Sequence, residues 1–132
     1  MTMELRRSIN SEQDASRSVL ESSMYAREAG FAEAPCQMIA TAVSELVRNI
    51  LKYAGSGELL IRRVQKAGAH GLEIEVVDHG PGIEDCEAAM QDHFSSSGTL
   101  GLGLPAVKRM MDDFSLHSAP GEGTRVTARK WL

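Results

Sequence analysis

The sequence predicts an α+β domain: a two-layer α/β sandwich with helices laid on a mixed, mainly antiparallel sheet. Three observations point there. Apolar periods of two and of 3.6 residues succeed one another in the order β-α-α-β-β-loop-α-β-β. Two pairs of strand-like runs are separated only by short turn-rich stretches, as hairpins require. A chain of 132 residues can bury about two-thirds of its unfolded surface without covalent staples. Residues 1–132 are therefore read as a single domain, with no internal repeat and no linker.

Each element has its own signal. Met3, Leu5, Arg7 and Ile9 alternate with polar neighbours and predict a short first strand. Ser11-Glu12-Gln13-Asp14 reads as a capping box that opens a helix, and Gly30 can close it. A second helix follows Pro35 and runs through "CQMIATAVSELVRNILKYA" to Gly55-Ser56-Gly57, with Ile39, Val43, Leu46 and Ile50 as its core face. "ELLIRRVQ" and "LEIEVVDHG" are strands joined by the turn-rich "KAGAHG". "CEAAMQDHF" can make a brief helix, and "LPAVKRMMDDF" a longer one with Pro105 in its first turn. "SLHSAPGEGTRVTARKWL" supplies two strands around Pro-Gly-Glu-Gly.

Composition narrows the function classes. The formal net charge of −4 argues against a nucleic-acid binder held by a basic face, but backbone amides can still bind phosphate. Cys36 and Cys86 match no disulfide framework or zinc spacing and read as reduced thiols of a cytoplasmic chain. "MTMELRRSIN" lacks the apolar core of a signal peptide, and no segment approaches the length of a membrane span. His70, His79, His93 and His117 have no metal-ligand spacing. Asp78-His79 has no accompanying nucleophile elbow.

Three stretches carry chemistry. On the second helix Thr41, Glu45, Arg48, Asn49 and Lys52 form a polar stripe at spacings of three and four. The strand "EIEVV" delivers Asp78 into Gly80-Pro81-Gly82; a carboxylate there can accept from an exocyclic amine, and the glycines admit a flat ring. Gly101-Leu102-Gly103-Leu104-Pro105-Ala106 satisfies the dinucleotide fingerprint G-x-G-x-x-A, yet "QDHFSSSGT" before it cannot be the buried strand that fingerprint needs. Gly98, Gly101 and Gly103 instead free backbone N–H groups just ahead of a helix, an anion site with a loop that can fold over a ligand. The P-loop pattern is absent.

Glu45-x-x-x-Asn49, Asp78-x-Gly80-x-Gly82, Gly101-x-Gly103 and Gly123-Thr124 stand in one order, and together they resemble the N, G1, G2 and G3 boxes of the Bergerat-fold (GHKL) ATPases. Within that superfamily the chain is similar to the small bacterial serine kinases of the anti-sigma and switch-kinase group. "SELVRNILKYAGSG", "DHGPGI", "GLGLPAVKRMMDDFSLHS" and "GEGTRVTARKWL" look like that group's blocks. The resemblance implies ATP and Mg²⁺ as cofactors. Asn49 would coordinate Mg²⁺; Glu45 would act as general base on a substrate serine or threonine; Asp78 would accept from the adenine amino group with Thr124 in support. Gly80 and Gly82 would let the nucleotide approach. Gly98, Gly101, Leu102 and Gly103 would line the phosphates under a lid, and Lys52 or Arg48 would face them. The implied substrate is a STAS-domain antagonist, and the implied later partner is a PP2C-type phosphatase or, in the anti-sigma branch, a sigma factor. A nucleotide-sensing binding module with little phosphotransfer, or a detached histidine-kinase domain, are the alternative readings.

Overall fold

A computed structural model describes residues 4–90 and 103–132. Its strands are β1 (Leu5–Ile9), β2 (Gly57–Lys66), β3 (Ala69–Asp78), β4 (Asp113–Ser118) and β5 (Thr124–Trp131). They form one sheet in the order β1-β2-β3-β5-β4, and every pairing is antiparallel. The expected mixture narrows to a purely antiparallel sheet among the described residues. Leu59 and Ile61 of β2, Leu72, Ile74 and Val76 of β3, and Val126 and Ala128 of β5 turn one face inward and are buried.

The helices cover that face. α1 (Glu12–Glu28) begins at Ser11, whose side chain accepts from the Asp14 N–H. The Asp14 carboxylate reaches back to the Asn10 N–H at 2.9 Å, one residue beyond the usual capping-box partner. Its end is a Schellman motif: Phe31 N–H donates to Ala26 C=O and Gly30 N–H to Arg27 C=O, with Gly30 at φ 106°. The buried side chains of α1 are all small (Ala15, Ser18, Ser22, Ala26), which lets it lie close to α2. The two buried hydroxyls donate to carbonyls of their own helix, Ser18 to Ala15 and Ser22 to Ser18.

α2 (Glu33–Asn49) starts two residues before Pro35, which sits in the first turn where its missing N–H costs nothing. Cys36, Ile39, Val43, Leu46 and Val47 form its buried face. It does not run on as an α-helix to Ala54. Residues Ile50–Ala54 make a π-helical turn, closed by Gly55 N–H donating to Ile50 C=O at 2.8 Å. The β2–β3 turn is only Ala67-Gly68, both at positive φ (52° and 83°), so the strands are longer than "KAGAHG" predicts.

α3 (Cys86–Ala89) is a single turn. α4 (Leu104–Met110) stops four residues short of the expected end at Phe114. Asp112 and Asp113 are recruited instead by β5: Asp112 accepts from the Trp131 backbone N–H and Asp113 from the indole N–H, each at 2.8 Å. Lys130 Nζ caps the Met110 carbonyl at 2.6 Å, fixing the C-terminal end of α4 on the sheet.

On the opposite face of the sheet, Glu73 lies between Arg62 on β2 and Arg129 on β5, its partners in register. Arg62 Nε donates at 2.7 Å and Arg129 Nε at 2.8 Å. Glu73 is only 3% exposed. Burial opposes its ionisation, but the hydrogen bonds from Arg129 and Arg62 outweigh it and hold the carboxyl below its ordinary range.

Candidate functional site

One end of the sheet carries a row of cross-strand partners, Gly57–Asp78–Thr124–Ser118, contributed by β2, β3, β5 and β4 in turn. Above it lies the C-terminal end of α2 with its π-turn. Between them is a cleft of about 330 Å³, within the range of small-ligand sites. Leu46, Asn49, Ile50 and Tyr53 form one wall; Val76, Asp78, Thr124 and Val126 form the floor; Pro81, Gly82, Ile83 and Leu104 close the rim. A mainly apolar cleft with a carboxylate, an amide and a hydroxyl suits a heteroaromatic ring with an exocyclic donor.

Asp78 is held in a fixed orientation: its Oδ1 accepts from Gly80 N–H at 3.0 Å, which leaves the other oxygen for a ligand. The motif glycines have duties that their ring-admitting role alone does not explain. A Cβ at Gly80 would lie 2.6 Å from the Ala54 Cβ, against the end of the π-turn. A Cβ at Gly82 (φ 81°) would run into the Ala119 carbonyl, and one at Gly123 (φ 76°) into the Asp78 carbonyl. The strand-end loop and the β4–β5 turn thus interlock, and any side chain there would force them apart.

Glu45 does not line the cleft itself. Its carboxylate packs against Gly103, the αL residue (φ 67°) that opens α4; a Cβ at Gly103 would run into Glu45 Oε2 and come within 2.9 Å of Cδ. Asn49, one turn further, does line the cleft. Lys52 is displaced from the stripe that its spacing predicts, because it falls inside the π-turn; it is exposed, with Nζ 5.2 Å from the centre of the Tyr53 ring. Arg48 is exposed as well. Gly98, Gly101 and Leu102 lie outside the described residues, as does His93.

Two polar groups escaped the sequence reading. Tyr53 Oη is buried at the cleft wall with no hydrogen-bond partner among the described residues, so a water or a ligand in the cleft would satisfy it. Its signal was an aromatic residue four positions after Asn49. Ser118 sits beside Thr124 and joins three segments by hydrogen bonds. Its signal was a hydroxyl at an inward position of the alternating run Phe114-x-Leu116-x-Ser118.

Residues 11–130 match the histidine kinase-like ATPase domain family. The chain belongs to that family. It is 53% identical over 107 residues to the serine/threonine-protein kinase RsbT of Bacillus subtilis, covering 81% of this chain and 80% of RsbT. It is 35% identical over 98 residues to the anti-sigma F factor of a Thermoanaerobacter species, covering 71% and 68%. Among solved structures it superposes on a Mycobacterium tuberculosis chain with RsbU and RsbW domains at a TM-score of 0.67 and 15% identity, covering 98% of this chain and 32% of that one. It matches the SiaB–SiaC complex of Pseudomonas aeruginosa at 0.56 and 12% identity, covering 98% and 89%. At those identities the structures speak for the fold, an α+β histidine-kinase-like ATPase fold. Among the described residues no helix is long and apolar enough to cross a membrane.

Proposed function

We propose that this chain, a protein serine/threonine kinase, holds ATP with Mg²⁺ in the cleft under α2 and phosphorylates a STAS-domain protein. The whole of residues 1–132 acts as one such domain in the cytoplasm, and once its substrate is modified it binds and activates a PP2C-type phosphatase. The observation that carries the reading is the convergence of Asn49, Asp78 and Thr124, from three separate motifs, on one apolar slot. The 53% identity to the serine/threonine-protein kinase RsbT, against 35% to an anti-sigma F factor, favours the kinase reading over the anti-sigma one.

The residues divide the work. Asp78 accepts from the adenine amino group, held in aim by Gly80, with Thr124 beside it. Pro81, Ile83 and Leu104 exclude water from the ring faces. The amide oxygen of Asn49 suits a hard cation that prefers oxygen ligands and keeps several waters. Mg²⁺, when bound, supplies charge neutralisation on the phosphoryl oxygens. Glu45, one turn before Asn49, takes the proton of the attacking hydroxyl. Gly98, Gly101, Leu102 and Gly103 offer backbone donors to the phosphates, and Lys52 or Arg48 supplies a cation to them.

Transfer of labelled phosphate from ATP to a STAS protein tests this, with Glu45→Ala and Asp78→Asn alongside wild type. The expected product is acid-stable phosphoserine or phosphothreonine; acid-labile phosphohistidine would instead mark a detached histidine-kinase domain. Unchanged ATP affinity in Asp78→Asn means the nucleotide lies elsewhere. Full-rate transfer by Glu45→Ala means the base is another group.

A further inference from the structure

The hydrogen bonds around Ser118 fix the direction of a proton inside the cleft. Ser118 Oγ has three neighbours: the Ile83 N–H at 2.7 Å, the Gly123 carbonyl at 2.8 Å and Thr124 Oγ1 at 2.9 Å. Ile83 N–H can only donate and the Gly123 carbonyl can only accept. A serine hydroxyl has one hydrogen, so it goes to Gly123. The Thr124 hydroxyl must then be the donor in the Thr124–Ser118 bond. With its single hydrogen turned toward Ser118, Thr124 presents only lone pairs to the cleft that it lines. Asp78, its neighbour in the same cross-strand row, presents a carboxylate oxygen and no hydrogen.

We infer that Ser118 is a specificity-determining positioning residue, which makes Thr124 a pure acceptor and so selects a 6-amino purine over a 6-oxo purine. This rests on the reading of the cleft as the adenine site. Two acceptors side by side match an exocyclic amine, which has two hydrogens to give, directly or through one ordered water. A 6-oxo group sets a third acceptor against them, and the unpaired polar atoms are what reject the wrong base. Ser118 touches no ligand in this scheme. It acts through Thr124, and through Ile83 and Gly123 it also joins the strand-end loop to the β4–β5 turn.

The test compares binding of ATP and inosine triphosphate, which replaces the 6-amino group and acceptor N1 by a 6-oxo group and an N1–H, to wild type, Ser118→Ala, Ser118→Thr and Asp78→Asn. Wild type is expected to prefer ATP by about tenfold or more, the scale of one or two hydrogen bonds. Ser118→Ala releases the Thr124 hydrogen to donate into the cleft, so the preference falls by about three- to tenfold, the scale of one hydrogen bond, and Asp78 retains the rest. Ser118→Thr keeps a hydroxyl in place and retains the wild-type ratio. If Ser118→Ala weakens both nucleotides equally and leaves the ratio untouched, Ser118 is merely structural and the inference is overturned. Should Ser118→Ala fail to fold, Ser118→Cys, close in volume and a weak acceptor for the Thr124 hydroxyl, is read by the same ratio. Equal binding of both nucleotides by wild type brings down the adenine-site reading and this inference with it. A wild-type preference lost in Asp78→Asn but kept in Ser118→Ala overturns the Ser118 inference alone.

Discussion

Replacing Gly103 by alanine separates the two demands that its position makes. The first is conformational: at φ 67° a Cβ costs about 1–2 kcal/mol. For a chain of this length that lowers the melting temperature by about 4–8 °C. The second is contact with the proposed base. The new methyl would lie 2.9 Å from Cδ and 3.4 Å from Cγ of Glu45 and would overlap Oε2. Restoring ordinary separations of about 3.5–4 Å moves the carboxylate by about 1 Å. A misplacement of that size costs about 10²-fold in rate, or about 2.7 kcal/mol of barrier. Gly55→Ala is the control for a side chain at positive φ without a contact, because Gly55 has φ 85° but no atom within 4 Å of a built Cβ. Both variants should lose stability by thermal melt, while only Gly103→Ala should lose phosphotransfer, with ATP affinity changed much less. Equal rates in the two variants, measured as initial velocity on a STAS substrate, would refute the placement of Glu45 as base.

Other consequences can be measured on the protein alone. Glu73→Gln removes the charge shared by Arg62 and Arg129 and should cost about 1–3 kcal/mol in urea unfolding, less than a fully buried pair because both arginines are partly exposed. Because the Glu73 carboxyl titrates below its ordinary range when folded, its stabilisation is complete above about pH 4.5 and disappears as pH falls through the lower folded value; the wild-type advantage over Glu73→Gln should shrink across that interval. Ala67→Gly should gain about 0.5–1 kcal/mol, since Ala67 holds φ 52° in a two-residue turn; a loss of stability would contradict the turn geometry. Tyr53→Phe should leave the nucleotide-free protein as stable or more so by about 1 kcal/mol, while shrinking the thermal shift produced by ATP.

Much of the architecture was legible because its signals were local. The capping serine, Gly30, the alternation in "LEIEVV" and the Pro-Gly-Glu-Gly turn each act within a few residues. What was not legible depended on distant partners. α4 ends at Met110 because β5 claims Asp112 and Asp113 and supplies Lys130 as a cap, although two aspartates at a helix C-terminus, where the dipole disfavours them, were a warning. The π-turn has no period of its own to read, so Lys52 was placed on a stripe that the helix does not continue. For the candidate site, Asn49, Asp78 and Thr124 came from motif order, whereas Tyr53 and Ser118 became visible only when three strands and a helix end were assembled. Gly82 and Gly123 were noticed as glycines for a ligand, but each is also required by a carbonyl pressed against it.

The row Gly57–Asp78–Thr124–Ser118 makes the cleft a gauge of strand alignment. Its members come from four strands, and a slip of one residue in any pairing would turn one of them to the opposite face. The proposed base-recognition row therefore exists only where β2, β3, β5 and β4 have paired in register, including pairings between residues far apart in sequence. A nucleotide that binds this assembled state adds about 2.7 kcal/mol at a hundredfold excess over its dissociation constant. It does so selectively for the aligned form. A copy with a slipped β2–β3, β3–β5 or β4–β5 register would gain none of that stabilisation.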